Sequence, residues 1–467
     1  MTHKIREVYI VHHSHTDVGY TDLQEQVIYN QANNIRRAVE LIENGIKNNT
    51  PQKDLKWNCE TWYCVEQFFK MATEEEKEKF FDLVKKGNIG LSANYLNFND
   101  LADCKYLKEK IHTMQEICGE QGIQIKTAMI ADINGISMGQ RDAMIENGVE
   151  FLYTNIHTHH GMYPLYQNQK PYFWENENGQ RLLVWNGEHY NLGNALGIVL
   201  NKNVNFMTEN YFGKKNGDVQ DAPVYRGAIN DWWGNGVGST PYAVKHYKEA
   251  VRLNRICDRL EEKTGVHNKE MIQAYGDNSL LYAEHTWGHS ATVTNPYDTM
   301  VTNLDMRKTS YASKAHEAAA MRKNEQCHKL GDILRYYNLS GKVKAVSTSH
   351  AKRIFPVEFY VETMSLPAVK VTDDKTKQEM EVQLSAHPRG VLVSFLAEFE
   401  PMEEKTFTYE EQPAPSQTLF TRTAWVGAER VRDIVNTYDP ESYKLPYGLE
   451  NDFFQIKWKV GEGITSF

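Results

Sequence analysis

The residues best equipped for chemistry come early in the chain. His12, His13, His15 and Asp17 fall within the stretch His12-His13-Ser14-His15-Thr16-Asp17-Val18-Gly19-Tyr20. They follow Val8-Tyr9-Ile10-Val11, a β-branched and aromatic run that reads as a strand. Side chains alternate along a strand, so His13, His15 and Asp17 are expected on one side. Imidazole and carboxylate two residues apart can share one divalent ion, and this mix suits zinc. The carboxyl end of a strand is also where parallel α/β folds build their sites. The competing reading is a polar strand end whose histidines only satisfy backbone groups.

Three later segments carry further candidates. Asp132, in Met129-Ile130-Ala131-Asp132-Ile133-Asn134-Gly135, follows an apolar strand and precedes a glycine turn, where a capping or turn aspartate is equally at home. Asp231 lies beside Trp232 and Trp233 in a glycine-rich loop, and apolar rings would raise its pKa toward that of a general acid. Core aromatics on a turn explain the same residues. Glu284-His285-Thr286-Trp287-Gly288-His289-Ser290 offers two histidines, either of which could complete a metal site begun at His15 and Asp17. His157, His159 and His160 form a rival cluster, read as a solvated loop.

The elements that must position these residues alternate in type. Helical stripes are expected over Gln24–Ile46, Val65–Lys86, Tyr106–Cys118 and Gly139–Asn147. Strands are expected around Lys56–Asn58, Asn88–Tyr95, Ile123–Ile130 and Phe151–Ile156. Such alternation predicts a parallel α/β domain, as an open sheet or a barrel. After about residue 245 the pattern turns helical, over Tyr247–Thr264 and Thr299–Leu330. From about Lys342 a period of two takes over, as in Val357–Val361, Val391–Phe395 and Thr406–Tyr409. The expected domains are therefore 1–245 (α/β, catalytic), 246–341 (helical) and 342–467 (β). Residues 412–416 read as a linker. The chain stops after an apolar strand and the start of a hairpin return, so it is expected to be a piece of a longer protein.

Composition narrows the class. The 467 residues call for more than one domain, and 41% hydrophobic residues suffice for real cores. A net charge of −9 gives no basic footprint, so nucleic acid is not an expected partner. No apolar run is long enough for a membrane span, and the N-terminus lacks the apolar core of a signal peptide. The six scattered cysteines read as reduced thiols of a cytoplasmic protein.

In order, these segments resemble glycoside hydrolase family 38, the retaining α-mannosidases. The family's His-Ser-His-Asn-Asp-Pro-Gly-Trp is similar to His13-Ser14-His15-Thr16-Asp17-Val18-Gly19-Tyr20. Its strand-end Asp-Pro-Phe-Gly resembles Asp132-Ile133-Asn134-Gly135, its glycine-rich acid/base loop resembles Asp231–Gly238, and its His-Arg-Gly-Thr-type segment resembles His289–Thr294. Phe173–Gly179, Glu450–Phe453 and Gly463–Ser466 also look like family segments. The resemblance implies a barrel-like (β/α) catalytic domain of seven strands, then a small helical bundle and β-sandwich-like domains. It implies one divalent ion, zinc by preference, on His15, Asp17, Asp132 and His289, with His285 the alternative to His289. It implies Asp132 as nucleophile and Asp231 as acid/base, about 5–5.5 Å apart. Tyr20, Trp232 and Trp233 would line a site for an α-mannoside or related glycoside. Val18, Tyr20 and Asn134 depart from the family pattern and leave the sugar unspecified; a homo-oligomer is left open. Two rivals stand beside this reading. One is a zinc-dependent carbohydrate or amide deacetylase. The other is a carbohydrate-binding protein without catalysis, whose metal is structural.

Overall fold

The computed structural model describes residues 11–133, 135–155, 170–187, 222–229, 235–331, 340–362, 368–387, 390–412, 448–450, 453–459 and 462–467. Asn134, Asp231, Trp232, Trp233, the 157–160 histidine cluster and the first expected strand up to residue 10 lie outside them. The chain divides into two compact units, Met1–Lys329 and Leu330–Phe467. The helical stretch expected from residue 246 thus falls largely in the first unit.

The first unit begins with α1 (Gln24–Asn48), whose stripe Ala32, Ile35, Val39 and Ile42 is buried as its spacing predicts. Strands β1 (Trp57–Cys59) and β2 (Ile89–Leu91) pair in parallel. His13 joins them through a parallel bridge to Asn58. The helix expected over Val65–Lys86 is in fact two, α2 (Trp62–Met71) and α3 (Glu74–Lys85). Thr73 makes the break. Its hydroxyl accepts from the Glu76 N–H while the Glu76 carboxylate accepts from the Thr73 N–H, a capping box that starts a new helix. Next come α4 (Cys104–Glu120), β3 (Thr127–Ala131), α5 (Met138–Glu146) and β4 (Phe151–Asn155).

β3 and β4 open a five-stranded sheet that continues with β5 (Pro171–Glu175), β6 (Arg181–Asn186) and β7 (Val224–Tyr225), in the order β3-β4-β6-β5-β7. Three of its pairings are parallel, but β5 and β6 form an antiparallel hairpin, so the all-parallel expectation is corrected. The reversal is made by Asn176, whose Oδ1 accepts from the N–H groups of Asn178 and Gln180, in the side-chain turn that asparagine favours. Trp62, Phe68, Phe80, Phe98, Tyr172 and Trp174 fill the core around these strands.

A short helix α6 (Asn235–Ser239) leads into α7 (Pro241–Thr264), α8 (Lys269–Ala283) and α9 (Thr299–Leu330). The sequence pattern does not predict α8, although Asn268 marks its start by accepting from the Met271 N–H. Small residues set the spacing here: Ala250, Ala315, Ala318 and Ala319 form a buried cluster with Leu253 and Tyr275. Gly276 is the extreme case. A Cβ there would lie 1.9 Å from the Tyr106 ring, so only glycine fits.

The second unit is β-structure, as its period of two predicts. Its first strands are β8 (Gly341–Val346), β9 (Arg353–Val361), β10 (Ala368–Asp373), β11 (Glu379–Met380), β12 (Val382–His387), β13 (Gly390–Phe399) and β14 (Glu404–Gln412). One sheet has the order β11-β10-β14-β8 and another β12-β13-β9. Both sheets contribute to one apolar core, in which the Phe395 and Phe407 rings meet edge to face at 4.8 Å. The last described strands, β15 (Gly448–Glu450), β16 (Gln455–Lys459) and β17 (Gly463–Ser466), form an antiparallel sheet. All six cysteines are free thiols, and no helix among the described residues is long and apolar enough to cross a membrane.

Candidate metal centre

Three distant segments of the first unit bring four donor groups together. His15 and Asp17 lie just beyond the His13 bridge, Asp132 follows β3, and His285 follows α8. One ligating atom from each lies within 4.8 Å of all the others. The inward atoms are Nε2 of both imidazoles and one oxygen of each carboxylate. His285 Nε2 is 3.2 Å from Asp17 Oδ1 and 3.5 Å from Asp132 Oδ2. His15 Nε2 is 3.4 Å from Asp17 Oδ1 and 3.7 Å from Asp132 Oδ2. The two rings stand nearly edge to face, with centroids 5.3 Å apart.

Backbone geometry at the two aspartates is unusual. Asp132 has φ of +70°, a left-handed conformation that costs most side chains energy but that Asp and Asn tolerate. Its N–H donates to the Asn155 carbonyl at the end of β4, which holds the turn in place. Gly19 has φ of +115°, and a Cβ there would press on Gln24 and Leu304 at 3.3 Å. Glycine therefore lets the chain turn away directly after Asp17 and Val18.

Each imidazole is held from behind by a buried carboxylate. His15 Nδ1 lies 2.9 Å from Glu60 Oε1, and His285 Nδ1 lies 2.9 Å from Glu284 Oε1. A carboxylate can only accept, so both contacts call for a proton on Nδ1 and turn Nε2 toward the group. Glu60 also takes His13 Nδ1 at 2.7 Å, and Asn97 Nδ2 donates to it at 2.6 Å. Glu284 is held by Lys308, whose Nζ reaches Glu284 Oε2 at 3.2 Å and the Glu284 carbonyl at 2.7 Å. Thr286 Oγ1 sits 2.6 Å from Glu284 Oε1 and 3.1 Å from Asp17 Oδ1, with one proton to offer between them.

The electrostatics follow from this crowding. The carboxylates of Asp17, Glu60, Asp132 and Glu284 surround the two imidazoles, and the Lys308 ammonium sits beside Glu284. Burial opposes a charge on His15, yet Glu60 and Asp17 override it and push its pKa up to about 10. His285 is raised well above its ordinary range, against the same burial, by Glu284, Asp132 and Asp17. Burial works against ionisation of Asp17 too, but its bonds to His15 and His285 hold the carboxyl far below the usual range. Asp132 is lowered against burial chiefly by His285. Glu60 falls to about 2, because His15 and His13 outweigh its burial. The donor set fits a divalent cation. It offers two imidazole nitrogens and two carboxylate oxygens in a field that already favours positive charge, and this mix suits zinc.

His13 shares the Glu60 carboxylate with His15 and is not one of the four. For the fourth position the sequence favoured His289 with His285 as the alternative; the group contains His285, and His289 stands outside it. The His289 N–H donates to Thr292 Oγ1 and its Nδ1 accepts from the Ala291 N–H, so His289 organises a turn. Its ring tilts against Tyr20 at 5.9 Å, and Tyr20, three residues after Asp17, is 38% exposed. Sequence reasoning missed the supporting roles of Glu60, Asn97, Glu284, Thr286 and Lys308. Only Glu284 and Thr286 had a visible signal, as neighbours of His285.

The model of the glycosyl hydrolases family 38 N-terminal domain matches residues 6–319. Among solved structures, an alpha-mannosidase from Enterococcus faecalis V583 superposes with a TM-score of 0.56 at 12% identity, covering 96% of this chain and 59% of that one. A protein in the glycosyl hydrolase family 38 from Enterococcus faecalis gives 0.54 at 12% identity, covering 96% and 57%. At such identity the likeness is one of fold, and the chain spans less than two thirds of either structure. No curated protein sequence matches the chain.

Proposed function

The chain belongs to glycosyl hydrolase family 38, and on that premise we propose that it is a metal-dependent retaining glycoside hydrolase acting on α-mannosides or related glycosides. The observation that carries this reading is the convergence of His15, Asp17, Asp132 and His285 from three remote segments. These four residues would hold one divalent ion, zinc by preference. When bound, the ion would supply a template for sugar hydroxyls and charge stabilisation. The same reading takes the parallel strands of the first unit as parts of a seven-stranded (β/α) barrel. It keeps the division into 1–245, 246–341 and 342–467.

The chemistry follows the two-carboxylate scheme. Asp132 attacks the anomeric carbon while the glycosidic bond breaks, and a glycosyl ester forms on its carboxylate. Asp231 gives its proton to the departing oxygen. Asp231 then takes a proton from water, the water oxygen attacks the same carbon, and Asp132 is released. The left-handed turn at Asp132, tied to the Asn155 carbonyl, fixes the backbone from which the nucleophile projects. The depressed pKa of Asp132 keeps it ionised, as a nucleophile requires. Tyr20, exposed and three residues after Asp17, would offer one face to the sugar, with Trp232 and Trp233 as further walls. The role of Asp231 rests on the sequence match alone.

The test is direct. The metal-loaded chain is incubated with an aryl α-mannoside and, separately, with an acetylated sugar. Phenol release supports the proposal. Acetate without phenol would replace it with a deacetylase, in which water would be the nucleophile and Asp132 would only help to hold the ion.

A further inference from the structure

Asn97 is fully buried and touches the segments that carry Asp132 and His285 together with Glu60, the carboxylate that holds His15. Its Nδ2 donates to Glu60 Oε1 at 2.6 Å, and that same oxygen holds His15 Nδ1. Its Oδ1 accepts from the Ala131 N–H at 3.4 Å, one residue before Asp132, and from Asn94 Nδ2 at 2.9 Å. Its carbonyl accepts from the His285 N–H at 2.9 Å. The neighbouring residues continue this last link: Phe98 bridges antiparallel to Glu284, and the Asn99 N–H donates to the Ala283 carbonyl. One asparagine thus binds the holder of His15, the strand end of Asp132 and the backbone of His285.

We propose that Asn97 is a positioning residue that sets the three donor-bearing segments in register around the ion. This inference rests on the metal-site reading above. The physical argument is one of valence. A primary amide has donors at one end and an acceptor at the other, so it can meet a carboxylate and a backbone N–H at once. A carboxylate in its place would repel Glu60, and an aliphatic residue would leave Glu60 and the Ala131 N–H short of a partner in a buried setting. Outer residues of this kind govern how well inner ligands are aimed.

The experiment compares Asn97→Ala with Asn94→Ala. Both delete a buried amide, but Asn94 is bonded to Asn97 and not to a donor-bearing segment through its side chain. The metal-free full chain is reconstituted with Zn²⁺ and with Co²⁺. Affinity is measured by chelator competition, and ligand geometry by the visible absorption of bound Co²⁺. Asn97→Ala is expected to weaken Zn²⁺ binding by about tenfold to a hundredfold and to alter the Co²⁺ bands, while Asn94→Ala keeps the wild-type spectrum. Wild-type affinity and bands in Asn97→Ala would overturn the proposal, as would equal losses in both variants. If Asn97→Ala fails to fold, Asn97→Ser, which stays polar but is too short to bridge Glu60 and the Ala131 N–H, is read by the same two outcomes. A wild-type chain that binds neither ion would remove the metal-site reading itself, and this inference with it; wild-type binding with an unaffected Asn97 variant removes this inference alone.

Discussion

The interiors of the two units are built on opposite principles. The core of the second unit is made of Val371, Val391, Val393, Phe395 and Phe407, all buried and all apolar. The interior around the candidate metal centre holds Glu60, Asn97, Glu284, His285 and Lys308, each buried to within a few per cent. Burial in the first case depends on volume and has no preferred direction. In the second it depends on which donor faces which acceptor. The apolar core should therefore tolerate exchange of like volumes, whereas the polar interior should fail on changes that keep volume but alter a partner.

The largest expected effect tests the polar interior at its functional end. Asp132→Asn keeps the shape and the left-handed backbone but removes the nucleophile. Turnover of an aryl α-mannoside should fall by at least about a thousandfold, or some 4 kcal/mol in transition-state stabilisation. Near-wild-type turnover would remove Asp132 from the chemistry.

Lys308→Met comes next. It keeps the stem but leaves Glu284 buried without its ammonium, and loss of one partner of a buried pair costs about 3–5 kcal/mol. Lys308 is itself pushed below its ordinary pKa by burial, against the pull of Glu284, so the pair is held under desolvation. Urea unfolding of the first unit should show the loss; an unchanged midpoint would mean that Glu284 finds other partners.

The contrast sharpens in the second unit. Phe395→Leu should cost about 1–2 kcal/mol through imperfect refilling of the space beside Phe407. It should leave Zn²⁺ affinity at the wild-type value, and any shift in affinity would mean that the two interiors are energetically coupled. The smallest effect belongs to a surface device. Thr73→Ala removes the capping box of α3 and should cost about 1 kcal/mol, read as a shift of the urea midpoint with Co²⁺ bands unchanged.

Much of this molecule is written locally. The stripe of α1 and the alternation of β13 follow from spacings of two to four residues. The break between α2 and α3 was legible too, in Thr73 and Glu76, but the apolar stripe running past it suggested continuity. The donor chemistry of His15, Asp17 and Asp132 was visible because imidazole and carboxylate so close together, and a carboxylate directly after an apolar strand, are few. The fourth position was not, since His285 and His289 are equally histidine and only four residues apart.

That choice belonged to the tertiary structure. His285 meets Asp17 only because the end of α8 is tied to Asn97 and Lys308, and the bond from Thr286 to Asp17 spans 269 residues. Sequence determined which groups could bind or react, because donor atoms and local periodicity are properties of residues and their near neighbours. Tertiary structure decided which of them meet and which way each imidazole faces, because a hydrogen-bond partner such as Glu60, Asn97 or Glu284 is a fact of space and leaves no spacing to read.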